Sequence, residues 1–358
     1  MDRYDVLIAG AGPTGMVLAL WLAHQGVKVA IVDKAAQPGT TSRAMAIQAR
    51  TLELYRQLGL ADETIAAGKR NVALNMWIKG KRRARLSLQD AGDRLTPYPF
   101  VLVYPQDQHE RLLLRHLGRA GVQVQRPVEL VAFDDREDYV VARLRDADGG
   151  LRECEARFLA GCDGASSTVR QKVGAGFPGG TYDHIFYVAD VMFNFITAEG
   201  NIADFMRTGV APLLAPLFAT VAYGIDAVRD LIFKIVSQIT INYHDSPLSI
   251  GSAGAIKAGD RLPWVEADGV DNHAPLDKID WQVQVYGEAG DGLRAWCLLH
   301  GMPIREFAWS RRHEEAGFAR NAHYLVRPDG HVALCDPSHG PDALAHYFRD
   351  LAYRRFCD

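Results

Sequence analysis

The chain has 358 residues, of which 48% are hydrophobic and 23% charged, and its formal net charge at pH 7 is −3. This composition is typical of a globular protein with about two domains, and it favours neither a nucleic-acid partner nor an acidic membrane surface. The five cysteines are scattered and form no C-x-x-C pair, which argues against a disulfide framework or zinc knuckle and favours the reducing cytoplasm.

A glycine-rich turn follows the first predicted strand. Residues 6–9 are apolar, as in a buried parallel strand, and Gly10, Gly12 and Gly15 form a G-x-G-x-x-G pattern at the start of a predicted helix that runs to His24. In such a pattern the first glycine permits a tight turn. The second lets the backbone approach a pyrophosphate, and the third lets the helix pack closely on the strand.

A second predicted strand, over residues 27–32, ends at Asp33, where a carboxylate can bind a ribose hydroxyl. The N–H groups and dipole at the start of the helix suit phosphate. The two strands, the helix and the terminal acid together predict a dinucleotide-binding site. The chain also begins directly with a core strand, so we expect no signal peptide.

Helices and strands alternate through the rest of the N-terminal half. Apolar spacing predicts helices over residues 42–58 and 106–120. A strand of small residues over 158–162 is followed by Asp163 and Gly164. This Asp-Gly pair indicates either an ordinary β-turn or a second contact to a nucleotide diphosphate.

The pattern of predicted secondary structure changes after Asp190. Residues 193–235 are predicted to be helical, and the uncharged stretch over 208–225 contains two prolines, which favours a buried or interface helix pair over a membrane span. A mixed region follows. Its predicted elements are strands over 239–243, 281–286, 324–326 and 331–334, and a helix over 341–353.

Four motifs in order carry a family resemblance. They are Gly10-Ala11-Gly12-Pro13-Thr14-Gly15, Ser42-Arg43-Ala44, the segment over 104–113 that begins Tyr-Pro-Gln, and the segment over 161–170 that contains Asp163-Gly164. Over residues 1–190 the chain closely resembles the FAD-dependent aromatic hydroxylases of the para-hydroxybenzoate hydroxylase and phenol hydroxylase group. From about Ser237 it is similar to the thioredoxin-like C-terminal domain of the larger members, through G-D-R-L-P-W at 259–264 and Y-L-V-R-P-D-G at 324–330.

The resemblance implies an α/β fold class. A Rossmann-like FAD-binding domain of the glutathione-reductase type would cover residues 1–178. A truncated substrate domain would follow over 179–192, then a helical connector over 193–236 and a thioredoxin-like α/β C-terminal domain over 237–358.

The resemblance also implies FAD as the cofactor and NAD(P)H as a transient co-substrate. The glycine-rich turn would admit the pyrophosphate, Asp33 would take the adenosine ribose, and Arg43 and Gln106 would contact the diphosphate and ribityl region. The alternative interpretations are a surface arginine at the start of a helix for Arg43 and a residue that caps the helix N-terminus for Gln106. His109 and Glu110 are expected to be solvated or structural. The implied cofactor-binding residues are Gly10, Gly12, Pro13, Gly15, Asp33, Lys34, Arg43, Gln106, Asp163 and Gly164.

The implied reaction is hydroxylation of a phenolic or other aromatic substrate by O2 through a flavin C4a-hydroperoxide, so the cofactor carries the difficult chemistry. No metal is implied, and the histidine spacing suggests none. Catalytic residues are left unassigned. We expect a small aromatic substrate, no nucleic-acid or membrane partner, a homodimer and a cytoplasmic location.

The sequence departs from the family pattern near Met192. The second flavin motif, a Gly-Asp pair followed by Ala and His, is absent, and a segment on the order of 150 residues is missing. The hypothesis that follows is weakened flavin binding and impaired hydroxylation. The alternatives are a non-catalytic nucleotide-binding or dimerising remnant and an NAD-linked dehydrogenase.

Overall fold

The computed structural model describes residues 2–39, 46–71, 73–78, 81–87, 92–177 and 233–350. Arg43, Met192 and the apolar stretch over 208–225 lie outside these residues, as do the expected substrate domain and nearly all of the expected connector. Across the described ranges, no helix is both long enough and apolar enough to cross a membrane.

Helices and strands occur in both halves of the chain. Those of the N-terminal half are β1 (Asp2–Ala9), α1 (Pro13–His24), β2 (Val29–Val32), β3 (Ala46–Ile47), α2 (Ala49–Gln57), α3 (Ala61–Ala67), β4 (Lys69–Asn71), β5 (Ala73–Ile78), β6 (Lys81–Ser87), β7 (Val101–Val103), α4 (Gln106–Arg119), β8 (Val124–Gln125), β9 (Glu129–Arg136), β10 (Tyr139–Arg145), β11 (Leu151–Gly161) and α5 (Thr168–Lys172). Those of the C-terminal half are β12 (Ile250–Ala253), β13 (Ile256–Lys257), β14 (Glu266–Ala267), β15 (Val270–Asp271), a 3-10 helix (Ala274–Lys278), β16 (Gln282–Tyr286), α6 (Asp291–Leu299), β17 (Ile304–Phe307), α7 (Arg311–Glu315), β18 (His323–Val326), β19 (Val332–Asp336) and α8 (Asp342–Asp350).

These elements belong to two compact units, each built from several chain segments. The first unit comprises Met1–Ala46, Glu63–Lys69 and Val103–Phe195. The second comprises Ile47–Asp62, Arg70–Leu102 and Ile196–Asp358.

The first unit is organised around a six-stranded sheet in the order β8-β2-β1-β11-β10-β9. The strands from β8 to β11 are parallel, and β10 and β9 continue the sheet antiparallel. Ile8 of the central strand β1 pairs with Ile31 on one side and Ala160 on the other. Leu7 and Ile8 are fully buried, as expected of a strand that is covered on both faces.

The second unit contains a six-stranded sheet in the order β13-β12-β19-β18-β16-β17. The strands β16 and β17 are parallel and are connected through α6, whereas β18 and β19 form an antiparallel pair that α8 follows. Both faces of the sheet are covered. One core contains Leu293 and Phe348 of the helices, and the other contains Tyr286, Tyr324 and Phe318.

Helix α2 is anchored in the second unit by a buried ion cluster. The Glu53 carboxylate accepts hydrogen bonds from Arg261 Nε at 2.7 Å, Arg50 Nη1 at 3.1 Å and Thr96 Oγ1 at 2.7 Å. Burial alone would raise the pKa of Glu53, but the charges and hydrogen bonds of Arg261 and the charge of Arg50 outweigh it and lower the pKa to about 2. Glu53 is therefore ionised although it is buried.

Two predicted elements differ in the structure. The helix predicted over residues 42–58 begins only at Ala49, and the short strand β3 precedes it. The strand predicted over 239–243 is wrong, since residues 238–240 form a turn and 241–243 have no regular structure. Residues 233–237 are helical, and Gln238 ends that helix with a φ of 60°. The Tyr243 N–H then donates to the Gly259 carbonyl at 2.9 Å, outside any sheet.

Candidate functional site

The first unit contains a cleft of about 350 Å³ at the carboxyl ends of its central parallel strands. This volume is in the range of small-molecule sites, and the edge is the one at which open α/β sheets bind ligands. The turns after β1, β2 and β11 contribute to its walls, and so does the start of α4. The lining residues include Gln37, Gly39, Gln106, Glu110, Arg126, Ser166 and Thr168.

The three glycines of the first turn have separate roles. Gly10 has a φ of 101°, and a Cβ there would lie 2.2 Å from the Cys162 carbonyl oxygen. A Cβ on Gly15 would lie 2.0 Å from the Gly10 carbonyl oxygen. A Cβ on Gly12, in contrast, would meet no atom of the described residues within 4 Å. Gly10 and Gly15 are therefore required by the protein's own packing, whereas Gly12 keeps space open in the cleft wall.

The start of α1 faces this opening with uncapped backbone. Gly12 is the N-cap and supplies no side-chain cap, Pro13 is at the first helical position, and the first turn contains no acidic residue. The first bond within the helix runs from Met16 N to Gly12 O at 3.0 Å. The N–H groups of Thr14 and Gly15 precede it and have no acceptor within the helix, which suits them to a phosphate group.

Asp33 lies in the cleft wall at the end of β2 and connects two backbone segments. Its Oδ2 accepts a hydrogen bond from Ala11 N at 2.7 Å, and its Oδ1 accepts one from Ala35 N at 2.8 Å. A carboxylate has about four lone-pair sites, so capacity for a ribose hydroxyl remains. Lys34, the next residue, is exposed and also lines the cleft.

Gln106 and Glu110 form the wall contributed by α4. Gln106 is the first helical residue and not the N-cap, which is Pro105. Its Nε2 donates to Glu110 Oε1 at 2.8 Å, and Glu110 is buried. His109 is also buried, and burial lowers its pKa to about 4. The expectation that His109 and Glu110 are structural agrees with this burial, whereas solvation is wrong for both.

Asp163 and Gly164 form a turn that lines the cleft. Gly164 has a φ of 77°. The Asp163 carboxylate accepts hydrogen bonds from Ser167 Oγ, in its own loop, at 2.5 Å and from Thr168 N, at the start of α5, at 2.6 Å. The carboxylate therefore stabilises the loop before α5, while the loop itself contributes to the cleft.

Sequence reasoning missed Arg126, which directly follows β8 at the same edge of the sheet. Its guanidinium lies 3.3 Å from Asp33 Oδ1, and its Nε is buried with no hydrogen-bond partner among the described residues. The available signal was an arginine directly after a strand in the dinucleotide domain, but no motif marks it.

These features fit the adenosine diphosphate half of FAD. The open space beside Gly12 admits a close ligand, the uncapped helix start suits a diphosphate, and the orphaned Arg126 Nε is a donor that a bound polar group would satisfy. Arg43, which the sequence placed at the diphosphate, lies outside the described residues.

Comparisons with known proteins agree with this geometry. A family model described as "FAD binding domain" matches residues 3–208, more than half of the chain. The chain is 40% identical over 173 residues to 6-methylpretetramide 4-monooxygenase from Streptomyces rimosus, covering 48% of this chain and 31% of that protein. It is 38% identical over 167 residues to rifampicin monooxygenase from Rhodococcus hoagii, covering 47% and 33%.

The chain thus matches about a third of the length of these two curated relatives. Among solved structures, the flavin-dependent monooxygenase PieE, in complex with FAD and substrate, aligns with a TM-score of 0.69 at 16% identity. That alignment covers 97% of this chain and 99% of that chain, and at this identity it is a likeness of fold alone.

Proposed function

Because the chain belongs to the FAD binding domain family, we propose that it is an FAD-dependent aromatic monooxygenase that uses NAD(P)H and O2. Family membership, together with relatives that are named monooxygenases, confirms the resemblance to flavin-dependent aromatic hydroxylases. The observation that carries the proposal is the cleft at the carboxyl ends of β1, β2 and β11, with its open space at Gly12.

The residues of the cleft have complementary roles in this proposal. Gly10, Gly12, Pro13 and Gly15 shape the turn and helix start that bind the pyrophosphate, and Asp33 binds the adenosine ribose. The other proposed cofactor-binding residues are Lys34, Arg43, Gln106, Asp163 and Gly164.

Bound FAD supplies the redox chemistry of the proposed reaction with an electron-rich aromatic ring. The polypeptide contributes binding and orientation. Asp163 acts indirectly, since its carboxylate holds the loop that forms one wall of the cleft.

The proposed architecture has four parts: an FAD-binding domain over residues 1–178, a remnant of the substrate domain over 179–192, a helical connector over 193–236 and a thioredoxin-like domain over 237–358. Support for the last comes from topology. The β16-α6-β17 unit is parallel, and the β18-β19 pair and α8 follow it, which is the order of the thioredoxin core. We also propose a homodimer and a cytoplasmic location, the latter from the cysteine pattern.

A second candidate is a nucleotide-binding remnant without turnover. The absence of the second flavin motif favours it, since that motif would hold the ribityl chain and the ring. Such a chain would bind the adenosine diphosphate half of FAD but would hold the isoalloxazine loosely.

The visible spectrum of the purified full chain, recorded after loading with excess FAD and desalting, tests both candidates. Retained flavin together with NAD(P)H oxidation and hydroxylated product from phenolic compounds supports the monooxygenase. Retained flavin, or ADP binding, without product supports the remnant. A folded protein that binds neither FAD nor ADP contradicts both.

A further inference from the structure

The Arg126 side chain connects two backbone segments around the dinucleotide cleft. Its Nη2 donates to the Ala11 carbonyl oxygen at 3.1 Å, in the glycine-rich turn. Its Nη1 donates to the carbonyl oxygens of Ala35 and Gln37, each at 3.3 Å, in the segment after β2. The same Nη1 lies 3.3 Å from Asp33 Oδ1. One guanidinium therefore joins both turns that contact the adenosine end of the cleft.

Within the described ranges, Asp33 and Arg126 both hydrogen-bond to the segment that follows β2. Residues 34–37 are exposed and have no regular secondary structure. Asp33 holds Ala35 N from one side, and Arg126 holds Ala35 O and Gln37 O from the other. Exposed segments with few buried contacts open locally at low free-energy cost, so the loss of the guanidinium would release this wall of the cleft.

Arginine is the residue type suited to this geometry. Its planar fork presents five donors in fixed directions, whereas a lysine ammonium is a compact point charge on a flexible stem. Only 12% of the Arg126 side chain is exposed, which holds the fork in place. Lysine would keep the charge near Asp33 and lose the simultaneous contacts to three carbonyl groups.

We propose that Arg126 is a positioning residue of the dinucleotide site, which holds the glycine-rich turn and residues 35–37 in the arrangement that binds adenosine diphosphate. The inference rests on the proposed function, because it takes an FAD-type dinucleotide as the ligand. Preorganisation of this kind increases affinity, because the binding segments are already ordered in the free protein and lose little conformational entropy when the ligand binds.

Calorimetric titration of the full chain with ADP, which lacks the flavin ring, tests the proposal independently of turnover. The variants are Arg126→Met and Arg126→Lys, with Arg152→Met as the matched control. Arg152 is a partly exposed arginine of the same unit that contacts Asp146 at 3.0 Å and Gln125 at 2.6 Å, and it is not among the residues that line the cleft. Amide hydrogen exchange over residues 34–38 and the thermal midpoint are measured on each protein.

We expect Arg126→Met to raise the Kd for ADP by about tenfold or more, equivalent to about 1.4 kcal/mol, and Arg126→Lys to recover little of it. Amide exchange over residues 34–38 should accelerate in both Arg126 variants. Arg152→Met should change neither the Kd for ADP nor this exchange rate, while it lowers the thermal midpoint about as much as the Arg126 variants do.

Unchanged ADP affinity in the Arg126 variants would overturn the inference and leave the proposed function intact. Failure of both Arg126 variants to fold, with Arg152→Met folded, would overturn it in favour of a purely structural role. A wild-type chain that binds neither ADP nor FAD would instead overturn the proposed function and the inference together.

Discussion

Glu53 of helix α2 and Arg261 form a two-point ion pair inside the second unit, although 208 positions separate them in the sequence. Both side chains are almost fully buried, with 4% and 5% of their surfaces exposed. Arg50 and Thr96 complete the hydrogen bonding of the carboxylate. The pair fixes α2 to the segment that carries the G-D-R-L-P-W motif.

Replacement of Glu53 by Gln should destabilise the protein by about 3–5 kcal/mol, because it leaves Arg261 buried without its counter-ion. Urea unfolding measures this loss. The exposed pair Arg143–Glu153, with N–O distance 3.2 Å, supplies the control: Glu153→Gln should cost less than about 1 kcal/mol. Equal losses in the two variants would contradict the prediction.

The same carboxylate predicts a pH dependence. The pKa of Glu53 is about 2 in the folded protein and ordinarily 4.5, so its contribution to stability is complete above pH 4.5 and is lost as the pH falls towards 2. Glu53→Gln should therefore show a smaller loss of stability over this window than the wild type. An identical acid profile in both proteins would show that Glu53 is not responsible.

Alanine substitutions at Gly12 and Gly10 should have different effects, the first on FAD binding and the second on the stability of the fold. Gly12→Ala should fold normally, since Gly12 has a φ of −74° and its Cβ would meet no atom of the described residues within 4 Å. The variant should nevertheless bind FAD about tenfold or more weakly, because the added methyl group fills the space that the pyrophosphate needs. Gly10→Ala should be destabilised by about 2 kcal/mol or more, because of its φ of 101° and the clash with Cys162 O. Thermal unfolding and FAD titration of both variants distinguish the effects; tight FAD binding by Gly12→Ala would place the phosphate elsewhere.

His109 should make the protein less stable in mild acid. Burial lowers its pKa from 6.5 to about 4, so between these values the unfolded chain takes up a proton that the folded chain does not. Stability should thus decrease from pH 6.5 to pH 4, by about 3 kcal/mol in total from this group. His109→Gln should remove that part of the slope in urea unfolding series. A variant with the wild-type slope would exclude His109 as its source.

Thiol labelling should report occupancy of the cleft. Cys162 is partly exposed and lines the cleft, although burial and the Asp163 charge raise the pKa of its thiol. Cys154, Cys297 and Cys335 are buried, and burial raises the pKa of the last two to about 12. In a Cys357→Ser background, a thiol reagent should therefore modify Cys162 first, and ADP should slow the reaction. Mass mapping of the modified peptide checks the site. Cys162→Ser should lack the fast phase, and labelling that ADP does not affect would argue against a ligand beside Cys162.

Secondary-structure elements that depend on local sequence patterns could be predicted from the sequence. The β1-α1-β2 unit follows from an apolar run, three glycines at fixed spacing and a second apolar run, and the structure has all three elements. The start of α4 at Gln106 and the turn between β18 and β19 were likewise expected. In each case periodicity and turn chemistry act over a few residues, so the sequence alone contains the information.

The features that were missed depend on residues distant in the sequence. Arg126 acquires its role only because β8 pairs with β2, and the partner of Glu53 lies 208 positions away. Asp163 illustrates a different difficulty. An Asp-Gly turn and a nucleotide contact use the same residues, and only the hydrogen bonds to Ser167 and Thr168 reveal where the carboxylate points.

The central position of β1 has a consequence for biosynthesis. Its neighbour β2 ends at Val32, but its other neighbour, β11, ends only at Gly161. A nascent chain that has not yet emerged from the ribosome to that point has the glycine-rich turn but lacks the third wall of the cleft. If FAD binds in this cleft as proposed, its complete site forms only after β11 has been synthesised. The parallel pairing of β1 with β11 joins strands that are far apart in the sequence, which makes it a slow step in folding.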